Sequence, residues 1–362
     1  MDLRWLKILA ISDLCITEEM YRQAFSGLTG RGAELKVIEW KVRDLNDLRA
    51  QVDKTEREGA EAVPAPPELE SSISGVDILV THLSPVPERV IAGAAKLKLI
   101  GCARSGWENV AEPAATARNI PILYCPLSKV STAADAAIGM ILTECRGLAR
   151  AHCQMVQGIW DTTFAFFGNS MSLTGNTVGL IGFGNIGKAV AQRLKGFEVE
   201  TLVYDPFQPA AAIREQGCTP VTLDELLARS DFVVMMARLS KDTTNLIGRS
   251  ELDLMKPTAY FVNTARGGLV DYGALRDALA RRQIAGAALD VFDVEPIDPE
   301  DPLLKLDNVS LTPHVAGVSR EGYRRSAQDV AQDIATLLAG GRPRFVVNPQ
   351  TLRNVTWPPR TT

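Results

Sequence analysis

The sequence predicts an α/β protein built from two doubly wound parallel-sheet domains, and three observations carry that prediction. The chain has 362 residues, long for one hydrophobic core, and domains of ordinary size divide it in two. Short β-branched runs alternate with amphipathic stretches along most of its length, the pattern of parallel strands joined by helical crossovers. One of those runs, in TVGLIGFGNIGKAVAQRL, passes straight into spaced glycines and then into a helical pattern, as the first strand-to-helix turn of such a sheet does.

The second half is the more regular. Strands are predicted at 177–181, 200–204, 231–235, 259–263, 286–290 and 309–311, and six strands suffice for a complete Rossmann-like sheet. The first half repeats the alternation less cleanly, with strands predicted at 7–11, 34–38, 77–80, 97–101 and 121–123, which fits a flavodoxin-like open sheet. Residues 54–72 are charged and proline-rich without a sustained period and read as a surface insertion. Residues 131–151 are rich in Ala, Ile, Met and Leu and predict one long helix, apolar enough to be buried on several sides.

Composition bounds the partners. With 46% hydrophobic and 23% charged residues the chain reads as globular. A formal net charge of −4 gives no electrostatic reason to expect nucleic acid or an anionic membrane, so the expected partner is a small molecule. The six cysteines, Cys15, Cys102, Cys125, Cys145, Cys153 and Cys218, form no metal-ligand spacing and read as buried thiols of a reducing compartment. The apolar run at 7–11 is too short to cross a membrane and lacks the layout of a secretory signal. A cytoplasmic location and no bound metal are expected.

In the glycine motif, Gly182, Gly184 and Gly187 have the spacing G-x-G-x-x-G. They permit a tight turn and close approach to a pyrophosphate, which would accept from the N–H groups of Asn185 and Ile186 at the helix start. Alone, such spacing also describes a plain strand-to-helix turn. An acidic residue, Asp205, follows the next strand 18 positions after Gly187, close to the expected spacing of about 20, where a carboxylate accepts ribose hydroxyls and repels the extra phosphate of NADP. NAD is therefore the expected cofactor, against the plainer reading of Asp205 as a turn cap before Pro206.

Three histidines, His82, His152 and His314, are available for proton transfer. His314 in SLTPHVAG follows a predicted strand that Pro313 ends, which puts it at the carboxyl edge of the sheet, where ligands of open α/β folds bind. His152 reads as an exposed helical residue, and His82 ends a strand of the first domain. Arg266 in FVNTARGGLVD follows another strand, and its guanidinium can grip a carboxylate through two parallel hydrogen bonds. Glu295 in ALDVFDVEP follows a third strand and would fix the tautomer of His314, with Asp293 competing for that role.

Together these motifs, over roughly 77–349, resemble the D-isomer-specific 2-hydroxyacid dehydrogenases, the family of phosphoglycerate, glycerate and D-lactate dehydrogenases. The resemblance implies that Arg266, Glu295 and His314 are catalytic, that Asp290 contacts the nicotinamide amide, and that Thr264 and Gly317 lie along the cofactor. It implies that Ser105 and Gly106, in CARSGWENV, hold the substrate carboxylate through backbone N–H groups. It also implies a substrate-binding domain of 1–128 plus 319–347, an NAD-binding domain of 129–318, an active-site cleft between them and a homodimer. Residues 348–362 are expected as a C-terminal tail.

Departures bear on the substrate. Thr81 and Pro85 stand where phosphoglycerate dehydrogenases carry basic residues, so the expected 2-hydroxy or 2-oxo acid is not phosphorylated. Arg238, Trp107 and the segment SKVSTAAD also differ from common members. A rival expectation remains open, because members of the family serve as NAD-responsive corepressors that bind without turnover.

Overall fold

The computed structural model describes residues 2–162, 170–354 and 357. They group into two compact units, one of Met1–Lys129 with Ser319–Thr362 and one of Val130–Val318. In the first unit, strands β1 (Lys7–Ser12), β2 (Glu34–Glu39), β3 (Ile78–Thr81), β4 (Leu99–Cys102) and β5 (Ile122–Tyr124) form one parallel sheet in the order β2-β1-β3-β4-β5. This is the flavodoxin-like order. Side chains alternate across the pleat: Leu9, Ile11, Leu79 and Ile100 enter one core layer, and Ile8, Ala10, Ile78 and Val80 enter the other. Burial on both faces is why these strands read as unbroken apolar runs.

The second unit holds β6 (Thr177–Ile181), β7 (Glu200–Tyr204), β8 (Thr219–Pro220), β9 (Phe232–Met235), β10 (Tyr260–Asn263), β11 (Gly286–Leu289) and β12 (Val309–Leu311). Their order is β12-β11-β10-β9-β6-β7-β8, all parallel. The six predicted strands are present within a residue at each end. The seventh, β8, escaped prediction because it is two residues long and contains a proline, which only an edge position tolerates. Val178, Leu180, Phe232 and Val262 pack on one face of the sheet, and Ile181, Val233, Met235 and Phe261 on the other.

Four expectations need correction. Residues 54–72 are not a surface insertion: they continue the helix Leu45–Glu58 and supply Pro67–Ser72, and Val63, Ala65 and Leu69 are buried in the first core layer. The single helix expected over 131–151 is two, Val130–Arg146 and Leu148–Val156, because Gly147 takes a left-handed conformation (φ 60°) that ends the first. The first of these is buried against the sheet, with Ala134, Ala137 and Ile141 in the core; the second buries no residue. Cys153 is exposed and Cys15 half-buried, while the other four thiols are buried and all six are free. Residues 348–354 do not trail away. Asn348 is buried, accepts from Ile122 N and donates to Ile120 O and Thr116 Oγ1, and a 3-10 turn, Pro349–Asn354, follows. No helix among the described residues is long and apolar enough to cross a membrane.

Candidate active site

Because the strands of the second unit are parallel, their carboxyl ends share one edge, and the predicted residues of this unit stand along it. The strand order reverses between β6 and β9, the point at which open α/β sheets take a ligand. Gly182 follows β6 with φ +101°, and a Cβ there would lie 2.6 Å from Ala237 N, just past β9. No side chain fits that crossing. Gly184 caps the helix Asn185–Leu194 without a side-chain hydrogen bond, so the amides of Asn185 and Ile186 are left for a ligand. Gly187 lies in the first turn of that helix.

Asp205, just past β7, accepts from Phe183 N through Oδ2 (2.7 Å) and from Phe207 N through Oδ1 (2.9 Å). It therefore closes the turn at Pro206 and ties it to the glycine loop. Each carboxylate oxygen keeps a further lone pair for a ribose hydroxyl. Thr264 Oγ1 is buried and has no hydrogen-bond partner, and the space where Gly184 would carry a Cβ is open. An uncapped helix start, an acidic strand end and an orphaned hydroxyl fit a dinucleotide.

Strands β10, β11 and β12 are neighbours in register, Asn263 beside Leu289 and Leu289 beside Leu311. Arg266 comes from the loop after β10. Asn263, fully buried, organises that loop by accepting from Ala265 N and donating to Arg266 O. Gly267 follows because a Cβ there would collide with the Phe292 carbonyl oxygen. The Arg266 side chain is exposed and donates one hydrogen bond to Ala265 O.

His314 and Glu295 are brought together from the loops after β12 and β11. Imidazole Nδ1 lies 2.7 Å from Glu295 Oε2, and Glu295 Oε1 accepts from Phe292 N. With the carboxylate on Nδ1, that nitrogen carries the proton and Nε2 is the ring's proton acceptor. The competition with Asp293 is resolved by geometry: Asp293 pairs with Arg276, both oxygens engaged at 2.9 and 3.0 Å. His314 takes a left-handed backbone (φ 54°), uncommon outside glycine, and Asp290 holds the loop in that shape. The Asp290 carboxylate, almost fully buried, accepts from Thr312 Oγ1 (2.6 Å), Val315 N (2.7 Å) and Ala316 N (2.8 Å). Gly317 lies in the turn that Val318 N closes on Val315 O.

Ser105 and Gly106 belong to the first unit, in the loop after β4. Ser105 is exposed, and the Glu108 carboxylate lies against Gly106. Asn109, fully buried, pins this loop to the end of β3 by donating to His82 O and Ser84 O. His152 is exposed on its helix. His82 is fully buried and meets Asp13, 2.9 Å from Nδ1 to Oδ2. Sequence reasoning missed this pair, and it missed the role of Asn263 although the residue sits inside the N-T-A-R-G-G motif. Among the described residues no group of His, Cys, Asp and Glu could hold a metal ion.

Comparisons with known proteins follow the same lines. The family model "D-isomer specific 2-hydroxyacid dehydrogenase, NAD binding domain" matches residues 138–316. A glyoxylate reductase of Korarchaeum cryptofilum is 37% identical over 295 residues, 81% of this chain and 89% of that protein. A D-3-phosphoglycerate dehydrogenase of Archaeoglobus fulgidus is 38% identical over 271 residues, 75% of this chain and 51% of that protein, so the match spans about half of that longer enzyme. The crystal structure of a D-isomer specific 2-hydroxyacid dehydrogenase from Lactobacillus delbrueckii ssp. bulgaricus, in its NAD-complexed form, is similar at TM-score 0.74 and 26% identity, covering 94% of this chain and all of the other.

Proposed function

Since the chain belongs to the D-isomer specific 2-hydroxyacid dehydrogenase family, an NAD-dependent family, we propose that it interconverts a small, non-phosphorylated D-2-hydroxy acid and its 2-oxo acid with His314 as the acid–base. When bound, NAD supplies the hydride acceptor or donor. The glycine loop, the amides of Asn185 and Ile186, Asp205, Thr264 and Gly317 would hold it. In the oxidation direction neutral His314 takes the substrate hydroxyl proton on Nε2, and in reduction it returns that proton to the carbonyl oxygen. Glu295 keeps the Nδ1 proton in place and stabilises the imidazolium that forms. The Arg266 guanidinium and the backbone N–H groups of Ser105 and Gly106 hold the substrate carboxylate and orient the reacting carbon. Asp290 acts here by fixing the 312–316 loop as well as by the nicotinamide contact that the resemblance implies.

The observation that carries this reading is the 2.7 Å contact between His314 Nδ1 and Glu295 Oε2 at two adjacent strand ends. The first unit would be the substrate-binding domain and the second the NAD-binding domain, in a cytoplasmic homodimer without a nucleic-acid partner. The named relatives are enzymes, and nothing favours binding without turnover. A screen of NADH consumption against a panel of 2-oxo acids, beside calorimetric NAD binding, tests the proposal. Turnover is expected, and tight binding with no turnover of any acid would overturn it. The same kinetics should favour NAD over NADP, and a preference for NADP would remove the role given to Asp205.

A further inference from the structure

The first unit carries a second polar constellation at the carboxyl edge of its own sheet, which the hydride transfer does not use. Its strand order reverses between β1 and β3, again the place where an open α/β sheet takes a ligand. Asp13 directly follows β1 and His82 directly follows β3, while Arg104 lies just past β4 and Lys129 just past β5. The topology therefore collects four ionisable side chains from four strand ends.

Their hydrogen bonds are incomplete in one direction. Asp13 Oδ1 accepts from the amides of Cys15 and Ile16, both at 2.8 Å, and Oδ2 accepts from His82 Nδ1. Burial opposes the charge on Asp13, but His82 and these amides outweigh it and hold the carboxyl below its usual range. The imidazole is thereby anchored by one edge. Its other nitrogen, Nε2, points away from Asp13, is buried, and has no partner. Arg104 is 7% exposed; its Nη2 bonds Glu56 and lies 3.5 Å from Glu108, while Nη1 is buried without a partner. The Lys129 ammonium sits 5.1 Å over the Tyr323 ring, which packs edge-on against His82 at 5.5 Å. Among the described residues no carboxylate reaches the ammonium, and burial together with the charge of Arg104 pulls its pKa to about 8.

Buried cations in folded proteins are paired, because an unpaired one costs its full desolvation. Here a buried imidazole nitrogen, His82 Nε2, and a buried guanidinium nitrogen, Arg104 Nη1, have no acceptor beside the half-buried Lys129 ammonium, at a position where such sheets bind ligands. A group that satisfies these atoms and the ammonium together is an anion with acceptor oxygens. Asp13, Glu56 and Glu108 surround the same two cations, which suits one added negative charge better than a phosphate dianion. We propose that Arg104, Lys129 and His82 bind a second carboxylate of the substrate, so that the preferred substrate is a dicarboxylic 2-hydroxy acid rather than a simple one. An anion opposite Asp13 leaves the imidazole between two carboxylates, beside Lys129, Arg104, Cys15 and Tyr323, and favours its protonated, doubly donating form. The inference rests on the dehydrogenase reading above and adds the substrate class to it.

The test compares kcat/KM for pyruvate, for oxaloacetate and its longer 2-oxo diacid homologues, and for phosphohydroxypyruvate, in the wild type, Lys129→Met and Lys129→Arg. At least one diacid should be favoured over pyruvate by about 10- to 100-fold, the worth of one charge-assisted hydrogen bond. That ratio should collapse in Lys129→Met and largely return in Lys129→Arg. A ratio that Lys129→Met leaves unchanged, or a preference for pyruvate, would overturn the inference, and a preference for the phosphorylated acid would replace its carboxylate with a phosphate. Turnover of none of the acids would instead overturn the dehydrogenase reading. The anion site is then decided by calorimetry with succinate and glutarate, which should bind the wild type and bind Lys129→Gln about 10- to 100-fold more weakly. Equal binding, or none to the wild type, would overturn it.

Discussion

Two histidine–carboxylate pairs stand at the carboxyl edges of the two sheets, Glu295 with His314 at 2.7 Å and Asp13 with His82 at 2.9 Å, and in both the carboxylate meets Nδ1. Each pair comes from neighbouring parallel strands, β11 with β12 and β1 with β3. Their exposure separates them. The side chains of His314 and Glu295 are 29% and 24% exposed, and those of His82 and Asp13 are 0% exposed. A partly exposed imidazole lies within reach of a substrate. Burial pushes the His82 pKa down, and Asp13 only partly offsets it, so that ring stays neutral until an anion reaches its far edge. On the proposed readings the same contact would serve proton transfer in one unit and ligand capture in the other, with the surroundings deciding which.

The largest effect expected from this contrast is on rate. Glu295→Gln keeps an oxygen for Nδ1, turns its NH2 towards Phe292 N and removes the charge that stabilises the imidazolium, and kcat should fall by about 10- to 100-fold, the worth of a hydrogen bond to a charged group. Steady-state kinetics check it, and an unchanged kcat would erase the distinction between the pairs. Asp13→Asn should act on stability instead. The Asp13 carboxylate only accepts hydrogen bonds, and an amide NH2 would face donors at one oxygen position. Urea unfolding should show a loss of about 1–3 kcal/mol.

The smallest effect concerns pH. The folded pKa of His82 lies below its ordinary 6.5, so below pH 6.5 the unfolded chain takes up a proton that the folded chain refuses. Stability should therefore fall as pH drops from 6.5 towards the folded pKa, by at most about 1.4 kcal/mol per pH unit. The lowered pKa of Asp13 adds a further loss only in stronger acid, below its ordinary 3.8. Urea titrations of the wild type and His82→Gln across this window should give a flatter profile for the variant, and parallel profiles would show that His82 is not held neutral.

Features set by local pattern were legible in the sequence. Strands buried on both faces are continuous apolar runs, and a strand that ends in glycines before a helix declares its turn, so β6, β7 and β12 have the predicted bounds and Gly182 lies in the turn after β6. Arg266, Glu295 and His314 were legible because each follows a strand within a few residues. What was lost depends on single residues or on distance. Val63, Ala65 and Leu69 are buried one at a time within a charged, proline-rich stretch that has no period to read. One left-handed glycine, Gly147, divides a uniformly apolar helical run. Asp13 and His82 are 69 positions apart and meet only because β1 and β3 are neighbours in the sheet, an adjacency that no local pattern encodes.

The account turns on His314 as the group that moves the proton. Its most direct test is the single-turnover rate of nicotinamide oxidation by a 2-oxo acid in His314→Ala, with and without added imidazole. The rate should fall by about 10² to 10⁴ and recover in part when imidazole is supplied. A near-normal rate in the variant would contradict the account.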